Sequence, residues 1–378
     1  MKKIGIITFH NSYNCGSMLE SYAIQKYLQK QKLENEIIDF SNNGQKEIYS
    51  ILFKNSSIKN IIKNILLFPW KNRIKLNNSH YEQFKNKNFE LSDKKYSENN
   101  EIEDNYSIVI AGSDQIWNIT IADSDDAYFL PWVTQAKKVA YAPSFGAKNI
   151  LKYSNNPEKY KKYISSFDAL SVREKNGKKW IKNLTGKDAE LLIDPTLLLS
   201  QDDYDKIEDN SCTPKGDYIF FYSPSFDSEI CNFISKISRK YDLPVITWST
   251  KSYAVKGIYR YGFRLPKYES PAVYLSLIKN AKLVFTTSFH GTIFSTIYKK
   301  NFYTIKNGGM YGDDDRVKTL LESIKLEERL IPYDFDSNYD YLKNVNYDNY
   351  SRELSKLQAN AERYINKNIG DVYFEINK

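Results

Sequence analysis

At 378 residues the chain exceeds the roughly 250–300 residues at which a single hydrophobic core stops growing, so two domains are expected, with a cleft between them as the first place to look for a site. Hydrophobic residues at 41% and charged residues at 26% exclude a disordered or fibrous protein, and three scattered cysteines without CxxC spacing (Cys15, Cys212, Cys231) indicate neither a disulfide framework nor a zinc site. The formal charge of +8 is modest but uneven, because six basic and no acidic residues fall between Ile48 and Tyr81; no nucleic-acid signature surrounds that excess, so nucleic acid is not an expected partner.

In chain order, Ile4 to Thr8 reads as a first apolar strand, which argues against a signal peptide and for a reducing, cytoplasmic setting. Asn14-Cys15-Gly16-Ser17 is loop chemistry, and Leu19, Tyr22, Ala23 and Tyr27 follow at helical spacing before a second strand at Glu36 to Phe40. A βαβ start of this kind predicts a mostly parallel sheet covered on both faces. Ile58, Ile61, Ile62, Ile65 and Leu66 mark an amphipathic helix that Pro69 ends, with Lys59 and Lys63 outside the apolar stripe. Two readings stay open for it: a core-facing helix, or an interfacial helix on an anionic membrane surface.

Further strands are expected at Ser107 to Ala111, Lys138 to Tyr141, Ala169 to Val172 and Glu190 to Ile193, and the polar stretch Gln201 to Gly216 reads as the linker. The rhythm then restarts: strand Asp217 to Tyr222, helix around Ile230 to Ser238, strand Val245 to Trp248, a helix from Pro271 capped by Ser270, and strand Leu283 to Thr286. Leu354, Leu357, Ala361 and Tyr364 place a closing helix over 350 to 365. The expected domains are 1–205, rejoined by a C-terminal helix within 350–378, and 216–345. No stretch reaches the ~18 apolar residues of a membrane span.

Four patterns carry candidate chemistry. Thr286-Thr287-Ser288-Phe289-His290-Gly291 ends a buried strand and opens a helix, where free N–H groups and the helix dipole favour an anion. His290 is one of three histidines, and Ser288 and Gly291 permit close approach of a ligand to the backbone. Ser171-Val172-Arg173-Glu174 ends another strand; Arg173 can grip a carboxylate or phosphate and Glu174 can orient it or act on protons, while an ordinary surface ion pair is the plain alternative. Gly112-Ser113-Asp114-Gln115-Ile116-Trp117-Asn118 offers hydroxyl, carboxylate, amide and an aromatic face to a sugar; a capped helix start with Trp117 in the core is the alternative. Gly308 to Val317 reads as a flexible loop whose three aspartates, Asp313 to Asp315, lack calcium-loop spacing and sit more simply at a helix start; no metal is expected.

The Asn14-to-Ser17 loop, GSDQIWN (Gly112–Asn118), Ala142-Pro143-Ser144-Phe145-Gly146, SVRE (Ser171–Glu174), Asp194-Pro195-Thr196-Leu197-Leu198 and SFHG (Ser288–Gly291) together resemble the polysaccharide pyruvyltransferase family in order and spacing. The resemblance implies a glycosyltransferase-B-like α/β fold of two facing parallel-sheet domains, with phosphoenolpyruvate as co-substrate held mainly by the second. It implies transfer of pyruvate, as a ketal, to a sugar of a cell-envelope polysaccharide or its lipid-linked precursor, without a separate cofactor. By position, His290 matches the family's essential histidine, Arg173 its arginine, and Arg316 a basic residue; Ser288 stands where members often carry Arg.

Ketal formation needs an acid at C3 of the enol and cations at the departing phosphate. His290 is therefore the candidate acid or phosphate donor, with Arg173 and Arg316 as cations and Glu174 and Asp114 as candidates for activating a hydroxyl. Asn14, Gly16, Ser113, Gln115, Trp117, Ser288 and Gly291 are the remaining expected substrate contacts. A peripheral position at the inner membrane face and a homo-oligomer stay open. The competing readings are a nucleotide-sugar glycosyltransferase and a non-catalytic glycan-binding protein.

Overall fold

The computed structural model describes residues 2–377 apart from 225, 307–313 and 335. Two five-stranded sheets, parallel throughout, organise it. The first takes β1 (Ile4–Ile7), β2 (Asn35–Phe40), β3 (Leu91–Tyr96), β4 (Ile108–Gly112) and β5 (Lys137–Tyr141) in the order β3-β2-β1-β4-β5. A two-stranded continuation, β6 (Ser171–Val172) with β7 (Glu190–Leu191), is reached through a bridge between Val139 and Ala169. The second sheet takes β8 (Ile219–Tyr222), β9 (Val245–Thr247), β10 (Leu283–Thr286), β11 (Phe302–Ile305) and β12 (Leu330–Ile331) in the order β12-β11-β10-β8-β9.

The central strands are apolar runs because helices cover both faces of each sheet: β1, β4 and β10 are buried along their whole length. The register Ile4↔Ile108 to Ile7↔Ala111 aligns the ends of β1 and β4, and Leu283↔Ile219 to Thr286↔Tyr222 aligns those of β10 and β8. Carboxyl ends of both sheets thereby line one cleft, the two-domain glycosyltransferase-B-like architecture that the sequence led us to expect.

Three strands have no counterpart in the sequence reading. β3 (LSDKKY) is an edge strand with exposed Lys94 and Lys95, charges that blunt an edge and erase the apolar signal. β11 and β12 are short, and only pairing with β10 identifies them. The expected linker is folded: Ser200 and Asp203 form a capping box for helix Gln201–Asp205, Tyr204 is buried, and Lys30 pairs with Asp203 at 2.6 Å. Helix Pro271–Asn280 has Ser270 as its cap, the Ser270 hydroxyl accepting the Val273 N–H.

The closing helix Tyr350–Ile365 touches both halves: the Tyr350 hydroxyl donates to Thr296, Gln358 to the Leu197 carbonyl and Tyr364 to the Ala140 carbonyl. Helix Ile58–Leu67 departs most from expectation. Only Leu67 is buried, and the stripe of Ile58, Ile61, Ile62, Ile65 and Leu66 faces outward, so the core-facing alternative does not hold.

Candidate active site

A cleft of about 680 Å³ opens at the carboxyl ends of both sheets. Phe9, Asn14, Ser17, Asp114, Gln115 and Asp123 line it from the first half, and Tyr222, Thr287, Ser288, Phe289, His290, Lys306, Asp314 and Arg316 from the second.

Helix Phe289–Ile297 starts at the end of β10 because Ser288 caps it, its hydroxyl accepting the Gly291 N–H. That places His290 in the first turn, mostly buried at the cleft wall. Helix Cys15–Lys30, capped by Asn14, comes from the other half to meet it. A Cβ on Gly16 would lie 2.3 Å from His290 Nδ1, so the imidazole packs here only against a glycine. On its other side His290 Nε2 stands 3.4 Å from Asp194 Oδ2, an ion-pair separation rather than an aligned hydrogen bond.

Asp194 is the hub. Its Oδ2 also accepts from Arg173 at 2.6 Å, and its Oδ1 takes the N–H and hydroxyl of Thr196. The same guanidinium reaches Asp114 Oδ1 at 3.2 Å, while Ser17 donates to Asp114 Oδ2 at 2.5 Å. Burial alone would push both carboxyls up. His290 and Arg173 outweigh it at Asp194, and Arg173 with His290 at Asp114, so both are held below the usual carboxylate range, Asp194 well below. Asp114 adopts φ +63°, a left-handed conformation that Asp tolerates better than most residues and that turns its carboxylate toward Arg173. Glu20, buried nearby and accepting from Thr8, is pushed well above its usual range by burial and then by Asp194 and Asp114.

Several expected contacts sit elsewhere. The Arg173 side chain is only 1% exposed and is bonded below the cleft through Nη1 to Asp194 and Nη2 to Asp114, with its guanidinium carbon 4.5 Å from the Phe289 ring centroid; neither a phosphate-gripping nor a surface position fits it. Glu174 is buried too, accepting from Ser144 and the Phe145 N–H, and is absent from the cleft lining, so it does not reach a bound hydroxyl. Burial raises its carboxyl to about 7 against the opposing pull of Arg173 and Arg316. Trp117 is a core residue: its indole donates to the Tyr128 carbonyl and stacks on Phe129 with ring centroids 5.6 Å apart. Ser113 is buried and donates to the Ala142 carbonyl, and Gly291 packs against Thr286. Gly146 has φ +55°, and a Cβ there would strike the Gln115 amide at 2.1 Å, so this turn holds Gln115 at the cleft edge.

Arg316 does line the cleft, paired with Asp314 through Nε at 2.7 Å and Nη2 at 2.5 Å. Asp315 accepts the Asn176 N–H from the other half, a use of this aspartate that the helix-start reading did not contain. The 307–313 portion of that loop, with Asp313, lies outside the described residues. The sequence reading missed Asp194, Phe289, Asp123 and Lys306 as site residues. Asp194 belongs to the Asp194-to-Leu198 run that supports the family resemblance, but nothing in that run assigns it a site role. Asp123 is a cleft carboxyl that burial raises to about 6.

The family model for polysaccharide pyruvyl transferase matches residues 14–309, a span that runs from the Asn14 cap through β11 and contains Asp114, Arg173, Asp194 and His290. The chain belongs to the polysaccharide pyruvyl transferase family. No curated protein sequence matches it. Among solved structures it is similar to the UDP-GlcNAc 2-epimerase from Neisseria meningitidis bound to UDP-GlcNAc, with 11% identity, a TM-score of 0.45, and 95% of this chain and all of that one covered. The S. aureus MnaA–UDP co-structure gives 13%, 0.48, 96% and 89%, and the E. coli ADP-heptose LPS heptosyltransferase II gives 10%, 0.37, 95% and 99%. In this member of the family, Asp194 of the DPT turn and Arg173 of SVRE form the pair that stands behind His290.

Proposed function

We propose that the cleft transfers pyruvate from phosphoenolpyruvate to a sugar of a cell-surface polysaccharide or its lipid-linked precursor, forming a pyruvyl ketal. The observation that carries this reading is the setting of His290, at a helix N-terminus on the cleft wall with an ionised Asp194 behind its ring.

The reaction balances as follows. C3 of the enol takes a proton, a sugar hydroxyl bonds to C2, the bond from C2 to the phosphate oxygen breaks, and a second hydroxyl of the sugar closes the ring. Of the two hydroxyl protons, one ends on the new methyl group and the other on phosphate. His290 is the proton donor to C3, oriented by Asp194. Arg316 and Lys306, with the free N–H groups at the start of helix Phe289–Ile297, meet the phosphate and carboxylate of the donor. Asp123, ionised above a pH of about 6 and facing the cleft, accepts the hydroxyl proton. Arg173 and Glu174 act from below by fixing Asp194, Asp114 and the Ser144–Phe145 turn.

The deciding measurement is thermal unfolding with phosphoenolpyruvate, with a nucleotide-sugar panel and with neither, for the natural chain and for His290→Ala. A ligand at about a hundred times its Kd adds about 2.7 kcal/mol, a rise of a few degrees. The expected outcome is a rise with phosphoenolpyruvate only, lost in the variant. A rise with a nucleotide sugar alone moves the assignment to a glycosyltransferase.

A further inference from the structure

Helix Ile58–Leu67 presents its apolar face to the outside. Ile58 is 77% exposed, Ile65 67%, and Phe68 just beyond the helix 70%, with Ile61, Ile62 and Leu66 between them. Their spacing of three and four residues puts them on one side of the helix, a larger patch than singly scattered surface hydrophobics form.

The opposite side explains why the helix is held there. It packs on helix Thr250–Lys256 of the second half, around Leu67, Ile74 and Ala254 with Phe53 and Trp70 against them. Arg73 donates to Thr250 and to the Pro266 carbonyl, and the Lys251 ammonium donates to the Ser50 carbonyl. This contact brings a second acid-free stretch beside the first. From Leu243 to Tyr268 the sequence has five basic residues and no acidic one. Lys256 and Arg260 of that stretch are exposed, Lys59 is exposed on the apolar helix itself, and Lys63 is half-buried over the Phe53 ring. The exception in the first stretch is Lys54, which pairs with Glu47.

We propose that this face docks the protein on an anionic lipid bilayer, with Ile58, Ile61, Ile62, Ile65 and Phe68 among the acyl chains and the flanking cations at the lipid phosphates. A helix of ten residues lies in the interface rather than crossing it, and among the described residues no helix is long and apolar enough to cross a membrane. A second copy of the chain is a poor occupant, since a two-fold contact through this patch sets like charges against each other. Tyr49, beside the cleft, lies just upstream of the segment, so a docked protein holds the cleft near the surface where a lipid-linked sugar resides. That last step rests on the proposed function; the docking does not.

The test is co-sedimentation of the full chain with vesicles of phosphatidylcholine alone or of phosphatidylcholine containing phosphatidylglycerol, without donor or acceptor. Binding to the anionic vesicles only, released by salt, is expected. Ile61→Asp with Ile65→Asp abolishes it, and Lys256→Glu with Arg260→Glu, on the other segment, weakens it by at least about tenfold, at about 1 kcal/mol per basic residue. Both pairs are surface changes that keep the unfolding temperature. No binding to anionic vesicles, equal binding by the double-Asp variant, or a natural chain that is dimeric and becomes monomeric in that variant overturns the proposal. Because no reaction is read, its failure is separate from failure of the pyruvyl-transfer reading.

Discussion

On the first-sheet side of the cleft, Arg173, Asp194 and Glu174 are bonded to one another or to backbone N–H groups and lie outside the cleft lining, whereas on the second-sheet side Ser288, His290, Lys306 and Arg316 line the open space. Both sets follow strand ends, and both carry charged or polar groups of the same types. The difference is what their partners are. A guanidinium held by two carboxylates below the surface has no free face for a ligand, so it acts by fixing the groups above it. An imidazole in the first turn of a capped helix is left to face the cleft. Residue type at a strand end therefore identifies a charged position but not whether it binds or supports.

The largest effect should come from the supporting side. Arg173→Met leaves Asp194 and Asp114 buried without their cation and should cost about 3–5 kcal/mol in denaturant unfolding, more than any single change among cleft-facing residues. A loss under 1 kcal/mol would break the distinction. Glu174→Gln sharpens it through pH. A carboxyl raised in the folded state to about 7 from an ordinary value near 4.5 keeps its proton longer when folded than when unfolded, so it makes stability fall as pH rises across that window and leaves the full penalty above it. The Gln variant lacks that slope and should gain up to about 3 kcal/mol on the natural chain between those pH values, read as parallel unfolding curves. The smallest effect joins the two walls. Gly16→Ala sets a methyl where His290 Nδ1 now lies and should lower kcat/KM by about tenfold or more while changing stability by only about 1 kcal/mol. Unchanged activity would mean that the imidazole position is immaterial.

Much of this was legible beforehand. Apolar runs bounded by turn residues marked β1, β4 and β10, and Ser270-Pro271 marked a helix start, because those signals are local: burial on both faces, or a cap and a fixed φ. The edge strand β3 was not legible, since an edge tolerates the lysines that hide its pattern. His290 stood out as a rare residue at a strand-to-helix turn. Asp194 did not, because its importance comes from Arg173 and His290, residues 21 positions before it and nearly a hundred after it. The sequence around Trp117 suits a sugar platform as well as a core residue, and only the rings of Phe129 and Phe145 around it decide for the core.

By itself the sequence determined two parallel α/β units, the strand ends that line the cleft, the family, and an amphipathic basic helix at residues 58 to 66. Periodicity, caps and turn residues act over a few positions, which is why they can be read directly. Tertiary structure alone decided that Arg173 and Glu174 lie beneath the cleft, that Asp194 ties Arg173 to His290, and that the apolar stripe of the basic helix turns outward beside a second acid-free segment. Desolvation and ion pairing depend on which distant residues meet, and a linear chain does not record that until it folds.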